Sequence, residues 1–219
     1  MPTEFVKLLF DSTESGLLNR VLYDFVASVA EMPIAQSMIS GRVAIVGGGP
    51  AIPERIFVTT PESQFKLLRP DITRLITLDD EVFSRPGPGS FKKKLWVNPY
   101  VEDIEGIPPD EPIFIPYPAH WLLPQFPPEY FNTILMFRIA DFSQQLSEGL
   151  LDVFSRSLAP NGHFIGSGSF FSHDPRKLFS PSSGFTLQSV QPLTAYDSYF
   201  GYCDNRICNN MGIIAQKVK

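Results

Sequence analysis

The residues whose types and spacing bear on chemistry begin with three consecutive glycines, Gly47, Gly48 and Gly49. They follow a run of small and branched apolar residues, Val43, Ala44, Ile45 and Val46, and lead through a proline into Pro53 to Ile56. A short apolar run bounded by turn signals predicts a buried strand. Glycines after it let the chain turn sharply and let a ligand approach main-chain atoms that a Cβ would block. A helix starting beyond them would present free N–H groups to an anion or another polar acceptor. This is how α/β proteins build a nucleotide-type pocket at the carboxyl end of a strand. The alternative reading of the same residues is a tight turn between two ordinary elements.

Two further groups could act beside such a loop. Arg74 to Leu78 reads as a second strand, and Asp79 and Asp80 follow it. A carboxylate at that tip can accept hydrogen bonds from ribose hydroxyls. A solvated loop carboxylate, or a helix N-cap before Glu81, fits Asp79 as well. His120 lies in Ile113 to Pro128, IFIPYPAHWLLPQFPP, where prolines interleave with Phe114, Tyr117, Trp121 and Phe126. Such a segment predicts neither a regular helix nor a central strand. It reads as a rigid lid over an apolar ligand, or as a surface loop packing its own aromatics. In the lid reading His120 is the histidine placed to act as a general base; the other reading makes it structural.

The elements that must position these groups follow from periodicity. Leu17, Leu18, Val21, Leu22, Phe25, Val26 and Val29 form one apolar stripe, which predicts a helix over Gly16 to Met38. Pro33 breaks it or opens a second short helix, Ile34 to Ile39. Pro61 to Leu68 reads as the body of a helix after the glycine loop. The lysines Lys92, Lys93 and Lys94 form a solvated face before a third strand near Leu95 to Val97. Tyr130 to Ile139 is nearly all apolar and predicts a central strand buried on both faces. Ser143 to Leu158 is an amphipathic helix, stopped by a turn at Pro160, Asn161 and Gly162. A fifth strand starts over His163 to Ile165, with His163 in a structural role. Phe185 to Val190 and Ile207 to Gln216 form a closing pair.

At 219 residues, with 43% hydrophobic content, the chain suits one domain with a sizeable core. Within it, residues 1–41 form an N-terminal helical segment and residues 42–219 the α/β domain. The net charge of −5 gives no electrostatic invitation to nucleic acid, which needs a basic face. No apolar run approaches the roughly 20 residues that cross a bilayer, and no signal peptide is evident. Cys203 and Cys208 suggest neither a disulfide framework nor a zinc site, and no metal centre is expected. Free thiols fit a cytoplasmic protein. Phe (19) and Pro (21) are many for this length and supply apolar walls and stiff connections. Exposed Phe near the N-terminal helix offers a homodimer contact.

Alternating strands and helices imply a Rossmann-like, mostly parallel sheet with helices on both faces, and the closing pair adds an antiparallel edge. In this order the chain resembles class I S-adenosylmethionine-dependent methyltransferases of the small-molecule type, from about Leu18 to Lys217. VAIVGGGPAIPERI is similar to their glycine-loop motif. YFNTILMFRI and the helix running to LAPNGHFI resemble their fourth strand, the helix after it and the turn. SGFTLQSV and GIIAQK resemble the strands that close their seven-stranded sheet. The resemblance implies that Gly47, Gly48 and Gly49 lie under the methionine part of S-adenosylmethionine. It implies that Asp79 holds the ribose and that Asp103, after the third strand, meets the adenine. Phe137 and Arg138 would face the sulfur and the acceptor. The sequence departs from the family where an acid usually stands two positions before the first loop glycine; here it is Ile45.

Three functions follow. The first is methyl transfer to an apolar small molecule, with Arg138 and a base such as His120 or His173. The second is a degenerate methyltransferase fold, its cofactor lost, that binds a partner or runs another reaction such as a cyclisation. The third is a flavin or nicotinamide protein, disfavoured because Ile52 stands where close helix–strand packing needs glycine or alanine.

Overall fold

The computed structural model describes residues 32–46, 72–78, 104–107, 113–115, 118–139, 146–169, 174–193 and 210–218. Within them, α1 (Pro33–Met38) leads into β1 (Gly41–Val46), followed by β2 (Ile72–Leu78) and β3 (Ile113–Ile115). Then come α2 (Ala119–Leu122), extended by a 3-10 turn Leu123–Gln125, and β4 (Phe131–Ile139). A wide π-helical turn, Leu146–Leu150, runs into α3 (Leu151–Ser157) and β5 (Leu158–Ser169). The last elements are α4 (Pro175–Leu178), a 3-10 turn Pro181–Ser183, β6 (Phe185–Pro192) and β7 (Asn210–Lys217).

All seven strands join one sheet in the order β3-β2-β1-β4-β5-β7-β6. The strands β3, β2, β1, β4 and β5 are mutually parallel, and β7 pairs antiparallel with both β5 and β6. This is the expected mostly parallel sheet with an antiparallel edge. Strand order reverses at β1, which lies between β2 and β4, so the carboxyl ends of β1 and β4 border the crevice where such sheets bind ligands.

Alternation along the strands divides the core into two clusters. Ala44 and Val46 of β1, Ile76 and Leu78 of β2, Ile134 and Met136 of β4, Phe164 of β5 and Ile213 and Ala215 of β7 face α2, α3 and the Phe179 region. Val43, Ile45, Leu135, Ile165 and Ile214 face the opposite way, against Met32, Ala35 and Ile39 of α1 and against Leu193. Helices therefore cover both faces, as the periodicity predicts. Among the described residues no helix is long and apolar enough to cross a membrane.

Pro33 opens α1 at its first turn, where its missing N–H costs nothing, so the helix-opening reading of that proline holds. Thr133 ties the end of α1 to the sheet. Its buried Oγ1 accepts from the Ser40 N–H at 3.1 Å and donates to the Ser40 carbonyl at 3.1 Å.

The expected strand near Leu95 to Val97 lies outside the described residues, and the third described strand, β3, is Ile113–Ile115. Two expectations change. The Ile113 to Pro128 segment is not a lid: Ile113, Ile115, Ala119, Leu122, Leu123 and Phe126 are buried in the larger cluster. Its prolines are compatible with this because β3 is short and at the sheet edge, and α2 begins just after Pro118. Finally, β5 starts at Leu158, before the Pro160 to Gly162 turn. That turn survives as a bulge inside the strand, with Asn161 at a φ of 62° and the register slipping between Phe131 and Thr133.

Candidate functional site

The register of the central strands sets the geometry of the site. Val46, the last residue of β1, pairs with Leu78 of β2 on one side and with Met136 of β4 on the other. Leu78, Val46 and Met136 thus form one row across three strands, each about 4.8 Å from the next. The next residues in sequence are Asp79, Gly47 and Phe137. Met136 in turn pairs with Gly166, and Phe137 with Ser167 of β5. Leu78, Val46 and Met136 are buried and apolar, and Ser167 adds a buried hydroxyl beside them.

Gly47, Gly48, Gly49, Asp79 and Asp103 lie outside the described residues, as do His173, Cys203 and Cys208. The backbone of Phe137 and Arg138 falls in the last turn of pleat of β4, at the end of the sheet where the crevice opens. His120 is exposed on α2. The helix that carries it packs beside the wide turn Leu146–Leu150, the first described element after β4. No described contact joins His120 to Arg138.

Asp103 stands before Ile113–Ile115 in the chain, and the strand near Leu95 to Val97 that it was expected to follow lies outside the described residues. Its described neighbour Glu105 accepts a hydrogen bond from the Tyr130 hydroxyl at 2.5 Å, just ahead of β4 and at the amino end of the sheet. His163 also stands in the amino half of its strand, level with Thr133 and Gln216. Burial lowers its pKa below the ordinary histidine value, in keeping with a structural role.

Sequence reasoning passed over the polar group at the amino end. Arg42 sits with its guanidinium carbon 4.5 Å from the centre of the Tyr130 ring, and its backbone N–H donates to the Asn132 side-chain oxygen at 3.0 Å. Arg74 is buried on the neighbouring strand, level with Arg42. The available signal was an arginine near the start of each of two strands that are otherwise uncharged and mostly apolar.

The position two residues before the first loop glycine is occupied by core. Ile45 is 2% exposed and packs in the cluster of Met32, Ile39, Val43, Leu135, Ile165 and Ile214. Strand β1 thus carries no carboxylate at its carboxyl end.

No protein-family model matches the sequence, and no curated protein does. Solved structures do match. The structure described as the complex between the Haloferax volcanii Trm112 methyltransferase activator and "the putative methyltransferase" aligns over 99% of this chain and 98% of that one, with a TM-score of 0.54 and 13% identity. The Burkholderia thailandensis 1,6-didemethyltoxoflavin-N1-methyltransferase, solved with 1,6-didemethyltoxoflavin and S-adenosylhomocysteine, aligns over 100% and 87%, at 0.50 and 13%. The aminoglycoside resistance methyltransferase NpmB1 aligns over 86% and 92%, at 0.50 and 12%. The chain has the fold of the class I S-adenosylmethionine-dependent methyltransferases.

Proposed function

We propose that this protein transfers a methyl group from S-adenosylmethionine to an apolar small molecule, in the crevice between β1 and β4. The observation that carries the reading is the row Leu78, Val46, Met136. One residue beyond that row, the sequence supplies a ribose-type carboxylate (Asp79), the glycine loop (Gly47 to Gly49) and the tip residues Phe137 and Arg138. A carboxylate and a glycine loop on adjacent parallel strands suit a nucleoside spanning the strand-order reversal.

The sulfonium of the donor is already activated, so the protein's task is alignment of donor and acceptor. Arg138, on the strand beside the glycine loop, is proposed to orient the acceptor. An oxygen acceptor would also need a base, and His120 is proposed for that role. The apolar character of the buried row favours an acceptor of low polarity.

The test is calorimetric titration of the purified protein with S-adenosylmethionine and S-adenosylhomocysteine. Binding that is lost in Asp79→Ala, with the thermal midpoint unchanged, supports the reading. No heat at millimolar cofactor rejects it.

A second reading rests on Ile45. With that position sealed in core, the fold can persist without the cofactor, because the sheet does not depend on it. Binding of an apolar ligand in the absence of any nucleoside affinity would favour this reading.

A further inference from the structure

Independently of the methyl-transfer reading, we propose that the Asn161–Gly162 peptide is a site of succinimide formation, and that Gln216, oriented by Gln188, holds the reaction back in the folded chain. This is the one Asn-Gly pair in the sequence. The Gly162 backbone nitrogen attacks the Asn161 side-chain carbonyl carbon, and that C–N bond forms as the bond to the side-chain amide nitrogen breaks. Ammonia leaves with the proton that Gly162 loses. Water then opens the ring at either carbonyl, leaving aspartate or isoaspartate. Glycine favours the attack because no Cβ crowds its nitrogen.

The pair lies on a bulge. The register of β5 passes from Leu158 opposite Phe131 to His163 opposite Thr133, so Ala159 to Gly162 loop out across from Asn132. The antiparallel ladder to β7 begins at His163, opposite Gln216. Asn161 is exposed to water and has a φ of 62°, in the left-handed region that asparagine accepts more readily than most residues. The ψ values allowed at that φ set the Gly162 nitrogen nearly opposite the Asn161 Cβ about the Cα–C bond. The peptide plane must therefore turn before the nitrogen can reach the side-chain carbon.

Two sets of contacts oppose that turn. The Asn161 carbonyl and the Gly162 nitrogen share one planar group, so holding the oxygen also holds the nitrogen. Gln216 Nε2 donates to the Asn161 carbonyl oxygen at 3.2 Å. Gln216 is oriented in turn by Gln188, whose Nε2 donates to Gln216 Oε1 at 2.7 Å and leaves the Gln216 nitrogen to face Asn161. Gln188 is the residue that the register of β6 skips between Leu187 and Ser189. One side chain of β7 thus joins a bulge on each neighbouring strand. Backbone confines Gly162 as well: a Cβ added there would lie 2.8 Å from the Ala159 oxygen and 2.9 Å from the Asn132 oxygen. A peptide held in this way reacts only when the bulge opens locally.

The experiment incubates the native wild-type chain, the same chain in urea, and native Gln216→Ala and Gln188→Ala in one mildly alkaline buffer. Peptide mass mapping reads the replacement of the Asn161 amide by an acid, and chromatography separates the isoaspartyl product. Conversion in urea is expected to be at least about tenfold faster than in the native wild type, the factor being set by local opening. Both variants, shown to be folded by circular dichroism, are expected to convert faster than native wild type, Gln216→Ala more so. Equal rates for wild type in urea and in the native state overturn the restraint. No conversion at Asn161 in urea overturns the site itself. A folded Gln216→Ala that converts at the wild-type rate overturns the role of Gln216. Gln188 is exposed, so Gln188→Ala carries the same test if Gln216→Ala does not fold.

Discussion

Arg42 and Tyr130 clasp each other at the amino end of the sheet: the guanidinium lies over the phenol ring, and its Nη1 donates to the Tyr130 carbonyl at 3.4 Å. The Tyr130 hydroxyl in turn donates to Glu105. Arg42 starts β1, Tyr130 immediately precedes β4, and Glu105 lies in the chain between β2 and β3. One cluster therefore gathers the entries of the two central strands, at the end opposite the carboxyl ends of β1 and β4.

This arrangement makes Tyr130 a reporter of alkaline stability. Burial, then the hydrogen bond to Glu105 and its negative charge, push the phenol from 10.0 up to about 12, against the opposing pull of Arg42 and Arg74. A folded pKa above the unfolded one means that the contribution is fully present below pH 10.0 and is lost as pH rises through about 12. In urea denaturation, wild type is expected to lose more stability than Tyr130→Phe between those two values. At neutral pH the variant is expected to be weaker by about 1 kcal/mol, the usual size of one lost hydrogen bond. Parallel alkaline profiles for the two proteins would contradict this account.

Gly41 has no room for a side chain. Its φ is +65°, and an added Cβ would come 2.2 Å from the Asn132 side-chain oxygen that holds the Arg42 N–H. Left-handed strain alone costs about 1–3 kcal/mol for a residue with a side chain. Gly41→Ala is therefore expected to destabilise by about 2 kcal/mol or more. A double-mutant cycle separates the two causes: in an Asn132→Ala background the contacts with the amide group disappear, leaving the strain and a 2.9 Å approach to the Cβ of residue 132. An equal cost of Gly41→Ala in both backgrounds would show that Asn132 plays no part.

Much of the architecture can be read from apolar runs, because β1, β2, β4 and β7 are central strands that must be apolar on both faces. The third strand escaped for a physical reason. Ile113–Ile115 is three residues long and, among the described residues, pairs with β2 alone, so proline-rich flanks do not forbid it and no period can form. The same flanks made buried Leu122, Leu123 and Phe126 read as a lid. The bulge in β5 was half legible: Asn161 and Gly162 signalled a turn, but not that pairing resumes across it. Gly162 is required there, since a Cβ would come 2.8 Å from the Ala159 carbonyl oxygen and 2.9 Å from that of Asn132. For the site, sequence order supplied Asp79, the glycine loop and Phe137 as candidates, and only the register of Leu78, Val46 and Met136 relates their strands. The packing of Ile45 against α1 had no local signature, because its neighbours come from four distant strands and helices.

Ser157 ends α3 with a buried hydroxyl that has no hydrogen-bond partner among the described residues. An unpaired buried polar group costs about 1–3 kcal/mol. Removing it leaves a methyl group that the surrounding apolar residues can accept. Ser157→Ala is expected to raise stability by about 1 kcal/mol in urea denaturation, with the slope of the transition unchanged. A loss of stability would mean that the hydroxyl is satisfied, by an ordered water for example.

Ile45 provides the sharpest test of how the crevice is built. Ile45→Val trims one methylene and is expected to cost about 0.5–1.5 kcal/mol. Ile45→Asp supplies the acid that the resemblance to class I methyltransferases leads one to expect there, but places it in the apolar cluster of Met32, Ile39, Leu135 and Ile165. Burial raises such a carboxyl above its unfolded value of about 3.9. By the same linkage its folded form is least penalised below that value, and stability falls as pH rises through the elevated folded pKa. Ile45→Asp is therefore expected to be clearly less stable at neutral pH than at pH about 4, once compared with wild type under the same conditions. Ile45→Asn, polar but uncharged, is expected to be destabilised to a similar extent at both. If Ile45→Asp instead folds as well as Ile45→Asn at neutral pH and binds S-adenosylhomocysteine more tightly than wild type, the carboxylate has found the ligand's ammonium.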